Sequence, residues 1–162
     1  MKPKRAPDFD SWYRSEYPRV LAAVAVVCSA RSEQAEDATT DAFVKALEKW
    51  DTVSTMSSPT GWVTSVAINR AKRSFRRAKH HTKLLNSQRI SAVFDNAHPD
   101  SDLIEALSKL SYRQRRAIVL HHVEGFTQAE VADDLGIAAG TASATLHQAR
   151  TRLRSTLENQ EN

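Results

Sequence analysis

The sequence predicts an all-α fold of two small helical domains joined by a flexible linker, the second domain containing a helix-turn-helix. Apolar residues recur at three- and four-residue spacings over residues 8–79 and 102–158, which is the period of an amphipathic helix. That periodicity weakens over residues 80–101, where polar residues and turn formers collect. Since the 162 residues include only 4 glycines and 5 prolines, a turn-rich all-β fold is disfavoured.

The first two helices are predicted from apolar stripes. The first stripe is Phe9, Trp12, Tyr13, Tyr17, Val20, Leu21 and Val24. We expect this helix to be interrupted or bent near Pro18, because proline lacks a backbone donor. The second stripe is Ala38, Ala42, Phe43, Ala46, Leu47 and Trp50, and the opposite face carries Glu36, Asp37, Asp41 and Glu48. A solvated acidic face and a docking surface for a protein partner both fit this pattern.

The third predicted helix is basic. Ser58 is a suitable N-cap for it, and Pro59 fits the first helical position. No carboxylate occurs between Asp51 and Asp95, whereas that window holds eight Lys and Arg residues. Since the net charge is +4, the rest of the chain carries −4. A local excess of positive charge suits a polyanion, although a solvated basic helix has the same composition.

The basic helix is apolar in its first half, so an anchored helix can lie along a phosphate backbone. Asn69 lies at the junction of the two halves, where an amide can hydrogen-bond a base edge. Trp62 fits either core packing or stacking on an unpaired base. The candidate DNA-binding residues of this helix are Trp62, Asn69, Arg70, Arg73, Arg76 and Arg77.

The last third of the chain predicts the helix-turn-helix. Thr127 and Glu130 have the spacing of a capping box at a helix start. Ala132 is small where two helices cross, and Gly136 supplies the turn between them. We expect Thr141 to cap the second helix. The agreement of these positions favours a DNA-binding motif over a plain helical hairpin.

In such a motif the second helix enters the major groove with its early residues toward the bases. The candidates facing the bases are Thr141, Ser143, Ala144, Thr145, His147 and Gln148. The candidate phosphate contacts are Arg150, Arg152 and Arg154.

Composition argues against a membrane protein and against an enzyme. The longest apolar run, residues 20–28, is shorter than the about 20 residues that cross a bilayer. The basic start is followed by acidic residues rather than by the apolar core of a signal peptide, so we expect a cytoplasmic protein without membrane insertion. The single cysteine gives no disulfide framework, and His121-His122 matches no metal spacing such as HExxH. We therefore expect no catalytic residue, metal or cofactor.

Sequence motifs in a fixed order extend over nearly the whole chain. The last third holds LSKLSYRQRRAIVL at residues 107–120, followed by motifs at 124–127, 130–132, 140–141 and 149–150. The first half holds motifs at residues 35–37, 41–43, 61–63 and 67–70. In order and spacing these motifs resemble regions 4 and 2 of extracytoplasmic-function sigma factors, a group of bacterial transcription initiation factors.

The resemblance implies a factor that directs core RNA polymerase to promoter DNA and helps open the −10 element, with polymerase doing the chemistry. Asp37, Thr40 and Asp41 would dock on the polymerase β′ clamp, and the β flap is a further implied polymerase contact. The first domain would read the −10 element and the second the −35 element. An anti-sigma factor is another candidate partner. The two elements lie roughly 60 Å apart, and the linker reaches about 70 Å when extended.

Some positions depart from the family pattern. Thr40 stands where the clamp-docking helix usually has glutamine, and Ala142 replaces a valine packed under the recognition helix. Ser143 and Ala144, with the threonine after them, occupy positions that usually carry Lys or Arg. Because those cations supply phosphate affinity, we expect −35 binding that is weak or rests on apolar and shape contacts.

A helix-turn-helix regulator that acts without polymerase docking is the alternative function. It predicts dimerisation and a symmetric operator, and it leaves the first half of the chain unexplained. Co-purification with core RNA polymerase separates the two hypotheses.

Overall fold

The computed structural model describes residues 8–30, 32–78 and 101–160, and within these ranges it gives the side chains of all but residues 32 and 75–78. The part of the chain that it describes is helical with short connections and contains no strand. The predicted all-α fold is therefore confirmed. The predicted linker, residues 80–101, lies almost entirely outside the described residues.

Four helices form the first module: α1 (Phe9–Cys28), α2 (Ser32–Glu48), α3 (Trp50–Val53) and α4 (Pro59–Ala78). Helix α1 begins after Asp8, whose side chain accepts a hydrogen bond from the backbone of Ser11 at 3.4 Å. It continues through Pro18, so the predicted interruption is absent. Fully buried side chains beyond the proline, including Val20 and Val24, hold the helix against its neighbours.

The core of the first module joins α1, α2 and α4. Its largest fully buried members are Val20, Val24, Val27, Phe43, Val53, Val63 and Ile68. A cluster of aromatic rings covers one end, where Trp12 lies between Phe43 and Trp50 with ring centroids 5.1 and 4.8 Å away. Leu47 does not belong to this core, because it sits in the last turn of α2 and is 56% exposed. The prediction that it lies on the buried stripe is wrong.

The second module contains α5 (Ser101–Ser108), α6 (Tyr112–Ile118), α7 (Gln128–Leu135) and α8 (Ala139–Gln160). A wider π-helical turn, Val119–Val123, extends α6 and inserts an extra residue into the helical repeat. The sequence spacing predicts that Val123 shares an apolar face with Ile118, Val119 and Leu120. That prediction is wrong for Val123, which this shift leaves exposed. The core of the module comprises Leu110, Ala117, Ile118, Leu120, Val131, Ala132, Ala142, Leu146 and Ala149.

Helices α7 and α8 form the predicted helix-turn-helix. Thr127 caps α7, and Glu130 completes the capping box by accepting the Thr127 backbone N–H at 2.7 Å. Gly136 ends α7 with a φ of 64°, a conformation that suits glycine. Helix α8 begins at Ala139, where the backbone N–H of Ala142 donates to Ala138. The prediction that Thr141 caps this helix is wrong, because Thr141 lies within its first turn.

The two modules pack against each other in this structure. Val119 and Tyr112 of the second module contact the core cluster of the first. Val26 of α1 forms a separate apolar cluster with Ile104 and Leu107 of α5. None of the described helices is long and apolar enough to cross a membrane.

Candidate DNA and polymerase interfaces

Helix α4 presents three different faces. Val63, Ala67, Ile68 and Ala71 are buried in the core of the first module. Arg70 and Arg73 are exposed beside α2. A third face, made of Gly61, Ser65, Asn69 and Lys72, contacts the second module. The helical repeat explains this separation, because residues four apart lie above one another on a helix.

The sequence-predicted −10 residues are divided between these faces. Trp62 is half-buried and packs on the core of the first module. Asn69 is exposed, and its side-chain oxygen accepts a hydrogen bond from Arg116 Nη1 at 2.9 Å. Arg70 and Arg73 are exposed on the α2 side. Arg76 and Arg77 lie in the last turns of α4, but their side chains are outside the described residues.

The exposed side of α2 holds the three predicted polymerase-binding residues. Asp37, Thr40 and Asp41 are all exposed. The hydroxyl groups of Thr40 and Tyr17 lie 3.2 Å apart in a hydrogen bond. Val44 is a large apolar side chain that is also exposed on this helix. The structure thus brings the predicted acidic residues onto one accessible surface of α2, which we call the acidic surface.

An ion pair connects the acidic surface to α4. Arg70 Nη2 lies 2.6 Å from Asp41 Oδ2, and Arg70 Nε donates to the same oxygen at 3.1 Å. A cleft of about 380 Å³ separates the two helices at this point. Its lining is Gln34, Asp37, Ala38, Asp41, Arg70, Arg73 and Ser74. Residues predicted for the −10 element and for polymerase therefore share one cleft.

The predicted −35 residues of α8 are mostly exposed. Thr141, Ser143, Ala144, His147 and Gln148 are exposed, and Arg150 is partly exposed. A shallow groove along the middle of the helix is lined by His147, Gln148, Thr151, Arg152, Ser155 and Thr156. These side chains form a continuous polar surface with one guanidinium group.

Thr145 is the exception among the predicted −35 residues. It is only 7% exposed, and its hydroxyl donates to the backbone oxygen of Thr141 at 2.8 Å. It faces the core of the second module beside Leu146, so its predicted contact with a base is wrong in this arrangement. Thr145 lies on the same stripe as the buried Ala142, Leu146 and Ala149, since residues three and four apart share one face of a helix.

A buried polar network that the sequence analysis missed joins the two modules, and we call it the clasp. Arg116 binds Asp134 through two hydrogen bonds of 2.7 and 3.1 Å. Two further bonds from Arg116 reach α4, to Asn69 at 2.9 Å and to Ser65 at 3.4 Å. Ser65 also hydrogen-bonds Asp134. The Arg116 side chain is 4% exposed, so its charge is satisfied by these partners rather than by water.

The positive charge of Arg116 in the clasp is stabilised by groups of the second module. Burial disfavours the charged form of Arg116, but the hydrogen bond and the charge of Asp134 outweigh burial and raise the pKa of Arg116. Tyr112 accepts another bond from Arg116 at 2.9 Å. Burial is the main cause that raises the pKa of Tyr112, so its hydroxyl stays protonated at neutral pH. A sequence signal existed: two adjacent arginines precede an apolar run in α6.

Arg115 makes a second bridge between the modules. Its guanidinium donates to the backbone oxygen of Val27 at 3.2 Å, in the last turn of α1. It also donates to the backbone oxygens of Leu110 and Ser108 at 2.7 and 3.4 Å. A cation at helix C-termini satisfies carbonyls that lack intrahelical partners. Burial is the main cause that lowers the pKa of Arg115.

Glu124 is a buried carboxylate at the same junction. Its side chain is 1% exposed, and it accepts a hydrogen bond from Thr64 at 3.0 Å. Arg19 lies 3.8 Å from the other carboxylate oxygen, which has no hydrogen-bond partner. Burial raises the pKa of Glu124, with Arg19 and Thr64 acting against it and Glu16 acting with it. Ser58 donates to the Glu124 backbone oxygen at 3.2 Å.

Three further side chains with potentially reactive groups, His121, His122 and Cys28, lie in the described part of the chain. That part holds no group of three or more His, Cys, Asp or Glu residues with metal-binding geometry. His121 Nδ1 lies 2.6 Å from the backbone oxygen of Phe126, and the His122 ring packs on the His121 ring. Burial raises the pKa of the Cys28 thiol to about 11, which keeps it protonated at neutral pH.

Two family models match this chain. The model described as Sigma-70 region 2 matches residues 12–81, and the model described as Sigma-70, region 4 matches residues 101–153. The two matches, in this order and with a helix-turn-helix in the second, define a sigma-type transcription initiation factor. The chain belongs to the extracytoplasmic-function group of the sigma-70 family.

Individual relatives agree with this assignment. The RNA polymerase sigma-E factor of Streptomyces avermitilis is 31% identical over 131 residues, which are 78% of this chain and 73% of the relative. The ECF RNA polymerase sigma factor SigM of Mycobacterium tuberculosis is 28% identical over 155 residues, 90% of this chain and 74% of the relative.

Two solved structures share the fold. The sigma factor RpoE from Bartonella quintana, solved in complex with the anti-sigma factor NepR, is 28% identical with a TM-score of 0.69. This similarity covers 93% of this chain and 97% of RpoE. CnrH, solved with the cytosolic domain of CnrY, has a TM-score of 0.57 over 93% of this chain and 88% of CnrH. At 22% identity, CnrH supports the fold alone.

Proposed function

We propose that this sigma factor docks on core RNA polymerase through the acidic surface of α2 and reads the −10 element with α4. The observation that carries the proposal is the shared cleft between these helices, where Asp37 and Asp41 lie beside Arg70 and Arg73. A basic surface next to a protein-docking surface places DNA against polymerase. Two exposed cations attract the phosphate backbone, which gives affinity without sequence preference.

Base recognition at the −10 element is proposed for Asn69, with Trp62 beside the trapped strand. An amide offers a donor and an acceptor, and it pairs with adenine through both. Because Trp62 is half-buried, its ring supports the helix and leaves only part of its surface for stacking. Trapping unpaired bases offsets an unpairing cost of a few kcal/mol, and polymerase carries out the chemistry once the strands have separated.

The −35 element is proposed to bind the exposed surface of α8. Thr141, Ser143, Ala144, His147 and Gln148 are the proposed base-facing residues, and Thr145 is removed from this set because it is buried. Arg150, Arg152 and Arg154 are the proposed phosphate contacts. With small residues in the early turns, direct readout falls mainly on Gln148 and His147, and the rest depends on shape and apolar contact.

The proposed sites require core RNA polymerase as a partner, and the polymerase rather than this chain carries out the bond chemistry. The need for this partner supports a site of action in the cytoplasm. The proposed domains are residues 8–79 and 102–158 with a linker at 80–101. We also propose an anti-sigma protein as a partner, supported by the similarity to RpoE, which was solved with such a protein. Addition of a candidate anti-sigma protein should abolish run-off transcription directed by this chain.

The test is reconstitution with core RNA polymerase. The full chain should co-elute with core enzyme, and the holoenzyme should select and transcribe a subset of a randomised promoter library. Asp41→Ala should weaken co-elution, whereas Asp10→Asn, an exposed change on α1, should not. A chain that binds DNA as a symmetric dimer and never associates with core enzyme would instead be an ordinary helix-turn-helix regulator.

A further inference from the structure

Two adjacent histidines end helix α6, and none of the contacts proposed above uses them. His121 and His122 lie in the π-helical turn that extends this helix. Such turns are rare and occur often at functional sites. Neighbouring residues of an α-helix point about 100° apart, but in this wider turn the two rings are in contact, with centroids 4.8 Å apart and ring planes at 77°. The turn therefore presents a pair of imidazoles at one place.

The first of these rings is held by the segment that leads into α7. Nδ1 of His121 lies 2.6 Å from the backbone oxygen of Phe126. Because a carbonyl oxygen can only accept, this nitrogen carries the proton and donates it. His121 is partly buried, whereas His122 is exposed. His122 is thus the member of the pair whose ring is accessible to a ligand.

Arg150 of α8 is the charged neighbour of the pair, and it acts on His122 through space. None of the ion pairs between described residues includes Arg150 or either histidine. The carboxylate of Glu124 accepts a bond from Thr64 and lies beside Arg19 instead. Basic groups that face one another without a counter-ion repel, and a bound anion relieves that repulsion. The arrangement therefore favours an anionic ligand.

The surroundings of His122 set its charge in the free chain. Burial is the main cause that lowers the pKa of His122, and the charges of His121 and Arg150 lower it further. The imidazole is therefore mostly neutral at neutral pH. An anion placed against it has the opposite effect, because an opposite charge within about 4–6 Å favours the charged form.

The position of Arg150 puts this basic group at the edge of the proposed −35 surface. Ser143, His147 and Arg154 share one side of α8 with it, because residues three, four and seven positions apart lie above one another on a helix. Leu146, on the adjoining side, is buried. The recognition helix of a helix-turn-helix lies in the major groove. Side chains along its edge therefore face the phosphate backbone that borders the groove.

We propose that His122 and Arg150 together bind a phosphodiester group beside the −35 element, and that binding of this DNA takes up a proton on the His122 ring. The inference rests on the proposed function in assigning the −35 element to α8. Binding weakens as pH rises, since a neutral imidazole adds no charge to the contact. A guanidinium stays charged throughout, so Arg150 supplies a contribution that does not depend on pH.

The test is promoter binding by the reconstituted holoenzyme at about pH 6 and about pH 8, within the range where histidine changes charge. Relative to His122→Asn, the parent should bind a selected promoter about tenfold more tightly at the lower pH, which corresponds to about 1.4 kcal/mol. At the higher pH the two should bind about equally. This ratio cancels the titration of core enzyme. His122→Arg, with a permanent charge, should bind tightly at both.

Two other titratable groups of the second module serve as comparisons. Glu124→Gln removes the nearby carboxylate and should keep the pH dependence of the parent. His147→Asn changes the histidine of α8, and it should alter base preference while the pH dependence remains. A pH dependence that disappeared in either of these variants and persisted in His122→Asn would overturn the inference.

Neutral phosphates locate the contact on the DNA. Methylphosphonate groups are introduced one at a time through the −35 element. At one position the change should weaken binding of the parent at the lower pH and leave His122→Asn unaffected. The inference is overturned if no position does this, or if the parent and His122→Asn have the same pH profile. A holoenzyme that bound no promoter at either pH would refute the proposed function, and this inference with it.

Discussion

Arg70 and Asp41 form an ion pair between two surfaces that were predicted to serve different partners. Their closest atoms are 2.6 Å apart, yet both side chains are about half exposed. An exposed pair of this kind contributes at most about 1 kcal/mol to stability, since water and salt screen it. Its position beside the cleft therefore bears more on function than on folding, because binding of polymerase to Asp41 would free Arg70 for DNA.

A double-mutant cycle on this pair separates the two contributions. Arg70→Ala and Asp41→Ala should each change the free energy of unfolding by less than about 1 kcal/mol, with a small coupling energy. Asp41→Ala should weaken association with core RNA polymerase, and Arg70→Ala should weaken promoter binding by the holoenzyme. Urea denaturation and two binding titrations measure these effects. If Arg70→Ala and Asp41→Ala weakened polymerase binding equally, the pair would act as one structural unit, which would contradict separate roles for the two residues.

Arg116 and Asp134 should behave in the opposite way. Their pair is buried, so Arg116→Ala leaves an unpaired carboxylate and should cost about 3–5 kcal/mol in the free energy of unfolding. The double variant Arg116→Ala with Asp134→Ala should recover part of that loss. Arg113→Ala, an exposed change on the same helix, should stay within about 0.5 kcal/mol of the parent. Equal effects of the changes at 113 and 116 would contradict the burial of the clasp.

The stability of the packed modules should depend on pH through Glu124. Because burial raises the pKa of Glu124 in the folded chain, this group contributes stability that is lost as pH rises through that pKa. Arg19, Glu16 and Thr64 are the charged and polar groups that face this carboxyl. Glu124→Gln should therefore raise the free energy of unfolding at neutral pH and flatten its pH dependence between the ordinary glutamate range and neutrality. Urea denaturation at several pH values measures this, and an unchanged pH profile would contradict it.

Substitutions of Gln148 and of Thr145 should have different effects on recognition of the −35 element. Gln148→Ala should cost about 1–3 kcal/mol against the preferred base and relax specificity at that position. Thr145→Val should change unfolding rather than specificity, since Thr145 is buried and bonded to its own helix. Arg152→Ala should weaken binding to all sequences and reduce the slope of the salt dependence by about 1. Competition binding with mutated −35 sequences at several salt concentrations checks all three.

The helical fold and the start signals of its elements were predictable from the sequence, because they depend on local patterns. Ser58 caps α4 by accepting a hydrogen bond from the backbone N–H of Gly61 at 3.1 Å, and the Thr127 capping box formed as expected. Leu47 was misplaced because burial near a helix end depends on which neighbour extends that far, and Val123 because the π-helical turn shifts the helical repeat. No local pattern reports this.

The site was predictable in part. Patterning located the acidic surface and the basic helix, but not the pairing of Arg70 with Asp41 across 29 residues of sequence. The clasp depends on side chains as far apart as Ser65 and Asp134, which are adjacent only after the modules pack. Thr145 faces inward because it shares a helical stripe with Ala142, Leu146 and Ala149, and its polar side chain hid this from the sequence pattern.

Thymine reactivity toward permanganate on a selected promoter tests the central claim most directly. With core RNA polymerase and the full chain, thymines of the −10 element should become reactive, and Asn69→Ala should abolish that reactivity while the chain still co-elutes with core enzyme. Thymines that stay protected in every complex, or that open equally well with core enzyme alone, would contradict the account.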